Sequence, residues 1–303
     1  MTPSVTRLAH GLLLLGALPQ YITATPVSAF KADSEVAGQA LLSESQNPLP
    51  NTPLEQAVEH DTAFVDSESD EGSDESIFAP SWWVSTLMAR RLLALSTSGV
   101  VSTVFPDPLP PKSHAPAEVA GQSISLKEYF ADCDEALPTD TGNGGDGSPT
   151  FLALYVATTF RNTAAGSNLS LSIDWWDHLN NTKPVFPGFP LSPAGLPRVT
   201  IFGYIEPFET PVPKETESAL RSCYTRSHPD SQVWLPGHPG SPHGSFWAKM
   251  VVTQVYWIGG FGGFQQIGWM NVTEWNGIRR RGSLPGVGDG RGWEDVRLPG
   301  ETE

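Results

Sequence analysis

Cysteine and basic side chains are the two residue classes of which this sequence has least. Only two of the 303 residues are Cys, too few for a disulfide-rich scaffold or for a zinc module built on thiolates. The 18 Lys and Arg residues are outnumbered by 33 Asp and Glu, and the formal net charge is −15. Because no basic patch is available to neutralise phosphates, the composition argues against a nucleic-acid-binding protein.

The chain also lacks an uninterrupted stretch of ~20 apolar residues, which a membrane-spanning helix would need. At its start, Arg7 is followed by a short apolar run from Gly11 to Leu18 and then by small residues such as Ala24 and Ala29. This order is typical of a secretory signal peptide, which we assign to residues 1–29. The sequence therefore predicts a protein without stable membrane insertion that is secreted to the extracellular space or held in the lumen of the secretory–vacuolar pathway.

Three N-glycosylation sequons agree with that compartment. They begin at Asn168, Asn180 and Asn271, and all lie in the part of the chain that we expect to fold. Such triplets also arise by chance, and the alternative is that some stay unused because they lie inside strands. We predict a glycoprotein modified at these three positions.

Motifs of common catalytic and metal sites are missing. The sequence has no Gly-x-Ser-x-Gly elbow, no P-loop and no His-Glu-x-x-His helix. The glycine-rich stretch from Gly142 to Gly147 matches the dinucleotide fingerprint in letters, but no helix follows it to face a pyrophosphate. We therefore predict no catalytic residues and no metal ligands.

Charge is distributed unevenly and suggests two segments outside the folded domain. Residues 30–79 are rich in Ser, Glu, Asp and Pro and hold little apolar surface, so we predict a disordered acidic segment. At the other end, Arg279, Arg280 and Arg281 open a stretch rich in Gly, Pro and charge. We predict a disordered tail over residues 278–303, in which the three arginines are either a site for a protease that cuts at paired basic residues or part of a solvated tail.

Hydrophobic periodicity predicts a mainly β domain between these segments. Apolar residues at spacings of three and four predict a helix over 82–95, and acids before bases predict a second helix between Lys214 and Arg226. Strands are predicted at 100–105, 124–130, 151–160, 169–175, 199–205 and 248–258. Because turns rather than helices connect most of these strands, the pattern favours an antiparallel barrel.

Cys133 and Cys223 are the two cysteines. In an oxidising compartment they can form a disulfide that closes a long loop, and otherwise they are buried free thiols. The sequence leaves both alternatives open, because it does not show how closely the two Cα atoms approach.

The order of several segments resembles the CREG family of secreted glycoproteins. The resemblance is carried by His228-Pro229-Asp230, by the run from His243 to Lys249, and by the glycine-rich exit after Ile258. It extends to the segments 99–105, 128–133 and 168–175 and covers about residues 80–277. It implies a six-stranded antiparallel Greek-key split barrel with a few small helices, related to FMN-binding pyridoxamine 5′-phosphate oxidases. It also implies a homodimer with clefts at its interface.

The resemblance leaves two functions open. CREG proteins resemble the oxidases in fold but lack bound flavin, which implies a non-enzymatic glycoprotein that binds a protein or a glycan receptor. The alternative is a flavin- or haem-binding oxidoreductase using the interfacial cleft. Thr158, Thr159, Arg161, Ser170 and Ser172 could contact a phosphate there, or they are solvated strand and turn residues, and no oxidase-type phosphate clamp is identified. The cleft candidates are Arg161, His228, His243 and Lys249. We favour the first function, with no cofactor.

Overall fold

The computed structural model describes residues 79–138, 145–179, 184–185, 188, 190–261 and 265–301. The predicted signal peptide and nearly all of the predicted acidic segment lie outside these residues, as does Asn180. None of the helices within these ranges combines the length and hydrophobicity that a membrane span requires.

The described chain is a mostly β structure with four α-helices. The helices are α1 (Trp82–Leu95), α2 (Thr158–Ala164), α3 (Lys214–Ser227) and α4 (Val272–Gly277). The longer strands are β1 (Ser98–Val104), β2 (Ser123–Tyr129), β3 (Thr150–Leu154), β4 (Leu169–Asp174), β5 (Arg198–Pro207) and β6 (Ser245–Ile258). Three short strands follow, β7 (Ile267–Trp269), β8 (Ile278–Arg279) and β9 (Gly282–Ser283).

A single curled antiparallel sheet organises the domain. Its strands follow the order β2-β1-β4-β5-β6-β3, and β7 adds to β6. The first and last strands of this order meet only beyond the end of β2, where Ala131 and Thr150 exchange two backbone hydrogen bonds of 3.0 and 2.8 Å. The barrel is therefore closed at one end and split along the rest of β2 and β3. This confirms the predicted split barrel.

Helix α1 fills the interior of the curled sheet. Ser81 caps its N-terminus by accepting a hydrogen bond from the Val84 amide, and the helix ends where Ser96 turns to an extended conformation. Its residues from Ser85 to Leu93 are all buried. They pack with alternate residues of the strands, such as Leu171 and Ile201, in one hydrophobic core.

A second, smaller core lies under α3. Leu220 and Tyr224 of this helix pack against Leu152 of β3 and Trp247 of β6. Cys223, on the same helix, forms a disulfide with Cys133, with the two Cα atoms 5.8 Å apart. Of the two alternatives that the sequence left open, the structure therefore has the disulfide, which ties α3 to the closed end of the barrel.

The predicted strand over residues 151–160 is wrong in its second half. Strand β3 ends at Leu154, and α2 begins at Thr158. The apolar and β-branched residues of this run, such as Val156 and Thr159, favour a strand locally, so no sequence signal marked the change. The side chains of Thr159 and Phe160 are nevertheless buried, because the short helix plugs the split between β2 and β3.

The predicted tail over residues 278–303 also differs from the structure. From Ile278 to Glu301 the chain forms β8, β9 and a 3-10 turn, Trp293–Asp295, and lies against α1. Trp293, Val296 and Leu298 belong to the main hydrophobic core. A composition rich in Gly, Pro and charge suggested disorder, but these few apolar side chains reach a core that is distant in sequence. We call residues 284–301 the C-terminal strap.

Candidate functional site

A cleft of about 290 Å³ lies between α2 and the proline-rich loop that follows β1. Thr158 and Arg161 contribute from the helix, and Ser113 and His114 contribute from the loop. Asn162 anchors the helix, because its buried Nδ2 donates a hydrogen bond of 3.0 Å to Thr103 Oγ1 of β1. One guanidinium, one imidazole and two hydroxyl groups therefore line a space that fits a phosphate-sized anion.

The other predicted phosphate contacts lie elsewhere. Thr159 is buried, and its hydroxyl donates to the Glu128 carboxylate of β2. Burial raises the pKa of Glu128, and the hydrogen bond from Thr159 offsets part of that rise. Ser170 and Ser172 lie on the outer face of β4, where Ser172 Oγ is 3.0 Å from the Thr200 hydroxyl. The five residues proposed from the sequence therefore do not form one phosphate site.

His228 lies at the closed end of the barrel, next to the bridge between Ala131 and Thr150. Its Nε2 lies 2.9 Å from the carbonyl oxygen of Phe130, and its ring stacks on Tyr129 at 4.4 Å between centroids. The Tyr224 hydroxyl donates to the carbonyl of Tyr129, the neighbouring residue. Strand β2 has no partner strand on this side, so the two side chains of the α3 end satisfy its free carbonyl groups. The geometry gives His228 a structural role.

The remaining cleft candidates, His243 and Lys249, do not lie beside His228. His243 is exposed in the loop before β6, where its carbonyl oxygen accepts a hydrogen bond from Ser241. Lys249 pairs with Glu206 of β5 at 3.0 Å and lines a different cavity, beside Asp134 and Asp146. Arg161, His228, His243 and Lys249 are therefore not brought together in the described part of a single chain.

Within the described part of one chain, these residues do not assemble a site for a flavin or a haem. Only Thr158 and Arg161 share a cleft with phosphate-binding chemistry, and its volume is at the lower limit of typical small-molecule sites. For haem, the Nε2 of His228 already faces a carbonyl oxygen. Within the described ranges, no three His, Cys, Asp or Glu side chains cluster in a way that would hold a metal ion.

A buried ionic cluster of Arg90, Asp132 and Asp134 lies near the closed end of the barrel. The Arg90 side chain is fully buried on α1, 3.8 Å from Asp134 and 5.1 Å from the centre of the Trp275 ring. Burial, together with the charge of Asp134, raises the pKa of Asp132 well above its usual value. Burial acts in the same direction on Asp134, but Arg90 and the hydrogen bond from Asp132 lower its pKa overall. These shifts favour the protonated form of Asp132 and the ionised form of Asp134, which faces Arg90.

A polar groove that the sequence did not predict lies where α1 meets β1 and β4. It has a volume of about 570 Å³ and is lined by Ser96, Lys127, Asp174, Asp177 and His178, among others. Ser96 Oγ donates to the Leu92 carbonyl at 2.7 Å, so the His178 Nε2 at 2.9 Å must donate to Ser96. Because His178 does not accept the hydroxyl proton, this pair is not a nucleophile and its base.

The outer surface of the sheet is left uncovered in the described chain. One row across it runs Val100, Ser172, Thr200, Tyr256 and Trp269, and contributes one residue from each of five strands. The next row includes Ser102, Ser170 and Phe202. We call these two rows, together with Val104 and Tyr204, the open face. The strict alternation in β4 is the sequence signal that could have located it.

The open face combines a polar band with an aromatic end. The polar band is held by the Ser102–Ser125 and Ser172–Thr200 hydroxyl pairs, at 2.8 and 3.0 Å. At the aromatic end, Trp269 lies 5.6 Å from Phe202 and 5.0 Å from Tyr256 between ring centroids. Trp269 is 58% exposed. A large aromatic side chain left in water at the edge of a regular sheet is typical of an interaction surface.

Two of the predicted glycosylation sites lie within the described residues, and both are exposed. Asn168 immediately precedes β4, beside the end of β1. Asn271 follows β7 and caps α4, because its Oδ1 accepts hydrogen bonds from the amides of Thr273 and Glu274. The cap uses only the oxygen, so the Nδ2 atom that carries an N-linked glycan stays available.

A family comparison assigns this fold. A model of the CREG β-barrel family matches residues 84–276. The chain belongs to the CREG β-barrel family. The matched region starts inside α1 and ends in α4, so it includes the open face and the cleft at α2 but excludes the C-terminal strap of this CREG chain. No match was found among curated protein sequences.

Several solved structures are similar to the CREG chain at low identity. A haem-binding protein from Mycobacterium smegmatis is 16% identical, with a TM-score of 0.41, over 64% of this chain and 59% of that one. A FAD-binding protein from Mesorhizobium loti is 13% identical, with a TM-score of 0.33, over 56% and 90%. General stress protein 26 from Bacillus anthracis is 11% identical, with a TM-score of 0.33, over 57% and 92%. At these identities the similarity concerns the fold alone.

Proposed function

We propose that this CREG β-barrel chain is a secreted or lumenal glycoprotein that acts by binding and has no enzymatic activity of its own. The observation that carries the proposal is the open face, with Trp269, Tyr204, Val100 and Val104 between 44% and 58% exposed. At one end of this face Trp269 packs beside Phe202 and Tyr256, and such an exposed aromatic group on a regular sheet is typical of a surface that binds a partner. The scattering of Arg161, His228, His243 and Lys249 supports binding over catalysis.

We propose a second copy of the chain as the occupant of the open face. The Ser and Thr side chains of its rows carry no charge, and Lys127, which continues the first row beyond Val100, is paired with Asp177 at 3.5 Å. Two such faces can therefore approach each other without strong electrostatic repulsion. An isologous contact places the same residues on both sides of a two-fold axis, which suits a regular sheet surface with an apolar end. Glycans at Asn168 and Asn271 would then lie at the margins of the contact and remain available to a protein or glycan receptor.

Sedimentation of two tryptophan variants tests the pairing. Trp269→Lys places a charge in the aromatic end of the open face, and we expect it to convert a dimer at micromolar concentration to a monomer. Trp176→Lys is the matched control, because Trp176 is 41% exposed but lies in a 3-10 turn off the sheet. A wild-type protein that is monomeric at micromolar concentration, or a Trp269→Lys variant that remains a dimer, would overturn the assignment of this face.

The visible spectrum of the purified secreted protein tests the absence of enzymatic chemistry. We expect no stoichiometric flavin or Soret band, either as purified or after incubation with FMN or haem. A band that titrates to one equivalent per chain would replace this proposal with the oxidoreductase alternative.

Enzymatic deglycosylation of material secreted from a eukaryotic host tests the glycoprotein assignment. We expect an increase in gel mobility that is reduced stepwise by Asn168→Gln and Asn271→Gln. An unchanged mobility of the wild-type protein after treatment would refute this part of the proposal.

A further inference from the structure

A two-residue turn carries the most exposed paired arginines of the described chain. Arg280 and Arg281 connect β8 to β9, in which Ile278 pairs with Ser283 and Arg279 pairs with Gly282. The side chains of Arg280 and Arg281 are 56% and 83% exposed. Exposed turns of this kind are where proteases cut folded chains most readily.

The other paired arginines, Arg90 and Arg91, lie in a different environment. Both are inside α1, and their side chains are 0% and 11% exposed. Arg91 forms a two-pronged ion pair with Glu301, and Arg90 lies against Asp134 and Trp275. A protease cannot reach this pair without unfolding the helix at the centre of the core, so the same two-residue sequence occurs once accessible and once protected.

We propose that the turn is a processing site, cut by a lumenal serine endoprotease that recognises paired basic residues. In this step water hydrolyses the peptide bond between Arg281 and Gly282. The hydroxyl of water adds to the carbonyl carbon of Arg281, which becomes a carboxylate, and Gly282 leaves with a new amino group. The inference rests on the proposed secretory passage, because that is where the chain would meet such a protease.

Glu294 of the C-terminal strap shows how a carboxylate recognises the turn. Its Oε1 accepts from Arg280 Nη2 at 2.7 Å, and its Oε2 accepts from Arg281 Nε at 3.1 Å. The strap approaches so closely that a Cβ on Gly292 would lie 2.3 Å from the Arg280 carbonyl oxygen. An acidic protease cleft would therefore have to take the place of Glu294. The rate of cutting then depends on how often the ion pairs between Glu294 and the two arginines break.

The opening that cutting requires is local. Strands β8 and β9 share only two residue pairs, and the strap contacts that hold the core lie further along the chain. Trp293, Val296 and Leu298 are buried, Trp175 Nε1 donates to the Pro299 carbonyl at 2.7 Å, and Glu301 binds Arg91. The cut therefore yields a nicked protein in which the fragment beginning at Gly282 stays bound.

Limited proteolysis of the full secreted glycoprotein tests the site. A subtilisin-like endoprotease specific for paired basic residues should give a single early cut with a new N-terminus at Gly282. The variant Arg280→Gln/Arg281→Gln should resist this cut with only a small change in thermal midpoint, because the lost contacts with Glu294 and with the Trp293 ring are exposed ones that contribute little. Glu294→Gln should be cut about two- to five-fold faster, since surface ion pairs of this kind are worth factors of that order.

Three outcomes would overturn the inference. They are an intact wild-type chain after digestion, a first cut at Arg90–Arg91 or at another basic residue, and release of the Gly282 fragment during gel filtration under native conditions. Native mass spectrometry should instead show one species heavier than the intact chain by one water. A missing glycan would refute the proposed function without altering this digestion, so the two failures are distinguishable.

Discussion

The C-terminal strap is expected to be part of the folding unit, and Leu298→Ala tests this directly. Leu298 is 2% exposed and belongs to the main hydrophobic core, although it lies outside the matched family region. Removing a buried leucine side chain costs about 2–5 kcal/mol, because apolar contacts are lost and a cavity remains. A change near 3 kcal/mol would lower the thermal midpoint by about 6–12 °C in a domain of this size.

Urea unfolding followed by tryptophan fluorescence provides the assay. Val233→Ala is the control, because Val233 is 49% exposed in a surface turn and its truncation should change the free energy of unfolding by less than ~0.5 kcal/mol. If Leu298→Ala lowers the free energy of unfolding no more than Val233→Ala does, the strap does not contribute to the core, and the packing argument is refuted.

Three further predictions concern other contacts. Burial raises the pKa of Glu301, but hydrogen bonds from Arg91 and Leu298 lower it below 4.5 overall. The stability that the Glu301 carboxylate adds is therefore present above about pH 4.5 and is lost in more acidic solution. The difference in thermal midpoint between wild type and Glu301→Gln should shrink from pH 7 to pH 3. Cys133→Ser/Cys223→Ser opens a loop of sequence separation 90 and should cost about 2–5 kcal/mol in urea unfolding, and an unchanged midpoint would contradict the bond. Asn271→Gln should lose both the glycan and the helix cap, and loss of the cap should cost about 1 kcal/mol. Thr273→Ala should lose the glycan alone. Equal stabilities of these two variants, neither of which carries the glycan, would count against the cap.

Local patterns in the sequence were sufficient for most of the sheet and for two helices. In β4 apolar residues alternate with Ser and Asp, and this period of two identifies both the strand and its buried face. In α1 the apolar spacing and the flanking Ser residues mark the helix to the residue. Each of these signals comes from residues that are neighbours in the chain.

Local sequence patterns do not predict the structure where distant contacts decide it. Helix α2 has no side-chain cap and is only seven residues long, and the split that it fills is formed by strands far away in sequence. The strap has few apolar residues, but Trp293 and Leu298 find a core that α1 and the sheet have already built. Arg161 and His228 share a chemistry that suits a cleft, but Arg161 lies on α2 and His228 lies at the end of α3. The sequence does not show that these two helix positions are apart.

The bridge between Ala131 and Thr150 makes the opening of the barrel directional. The bridge, the disulfide at Cys133 and the contacts of Tyr224 and His228 with the carbonyls of Tyr129 and Phe130 all lie at the same end. We therefore expect local opening of the sheet to begin at the opposite end, where no such contacts join β2 and β3 in the described chain. Amide hydrogens of Ala131 and Thr150 should exchange with solvent only in the largest openings, while the facing edges of β2 and β3 exchange earlier. A single barrel thus has a rigid end and a compliant end, built from one sheet.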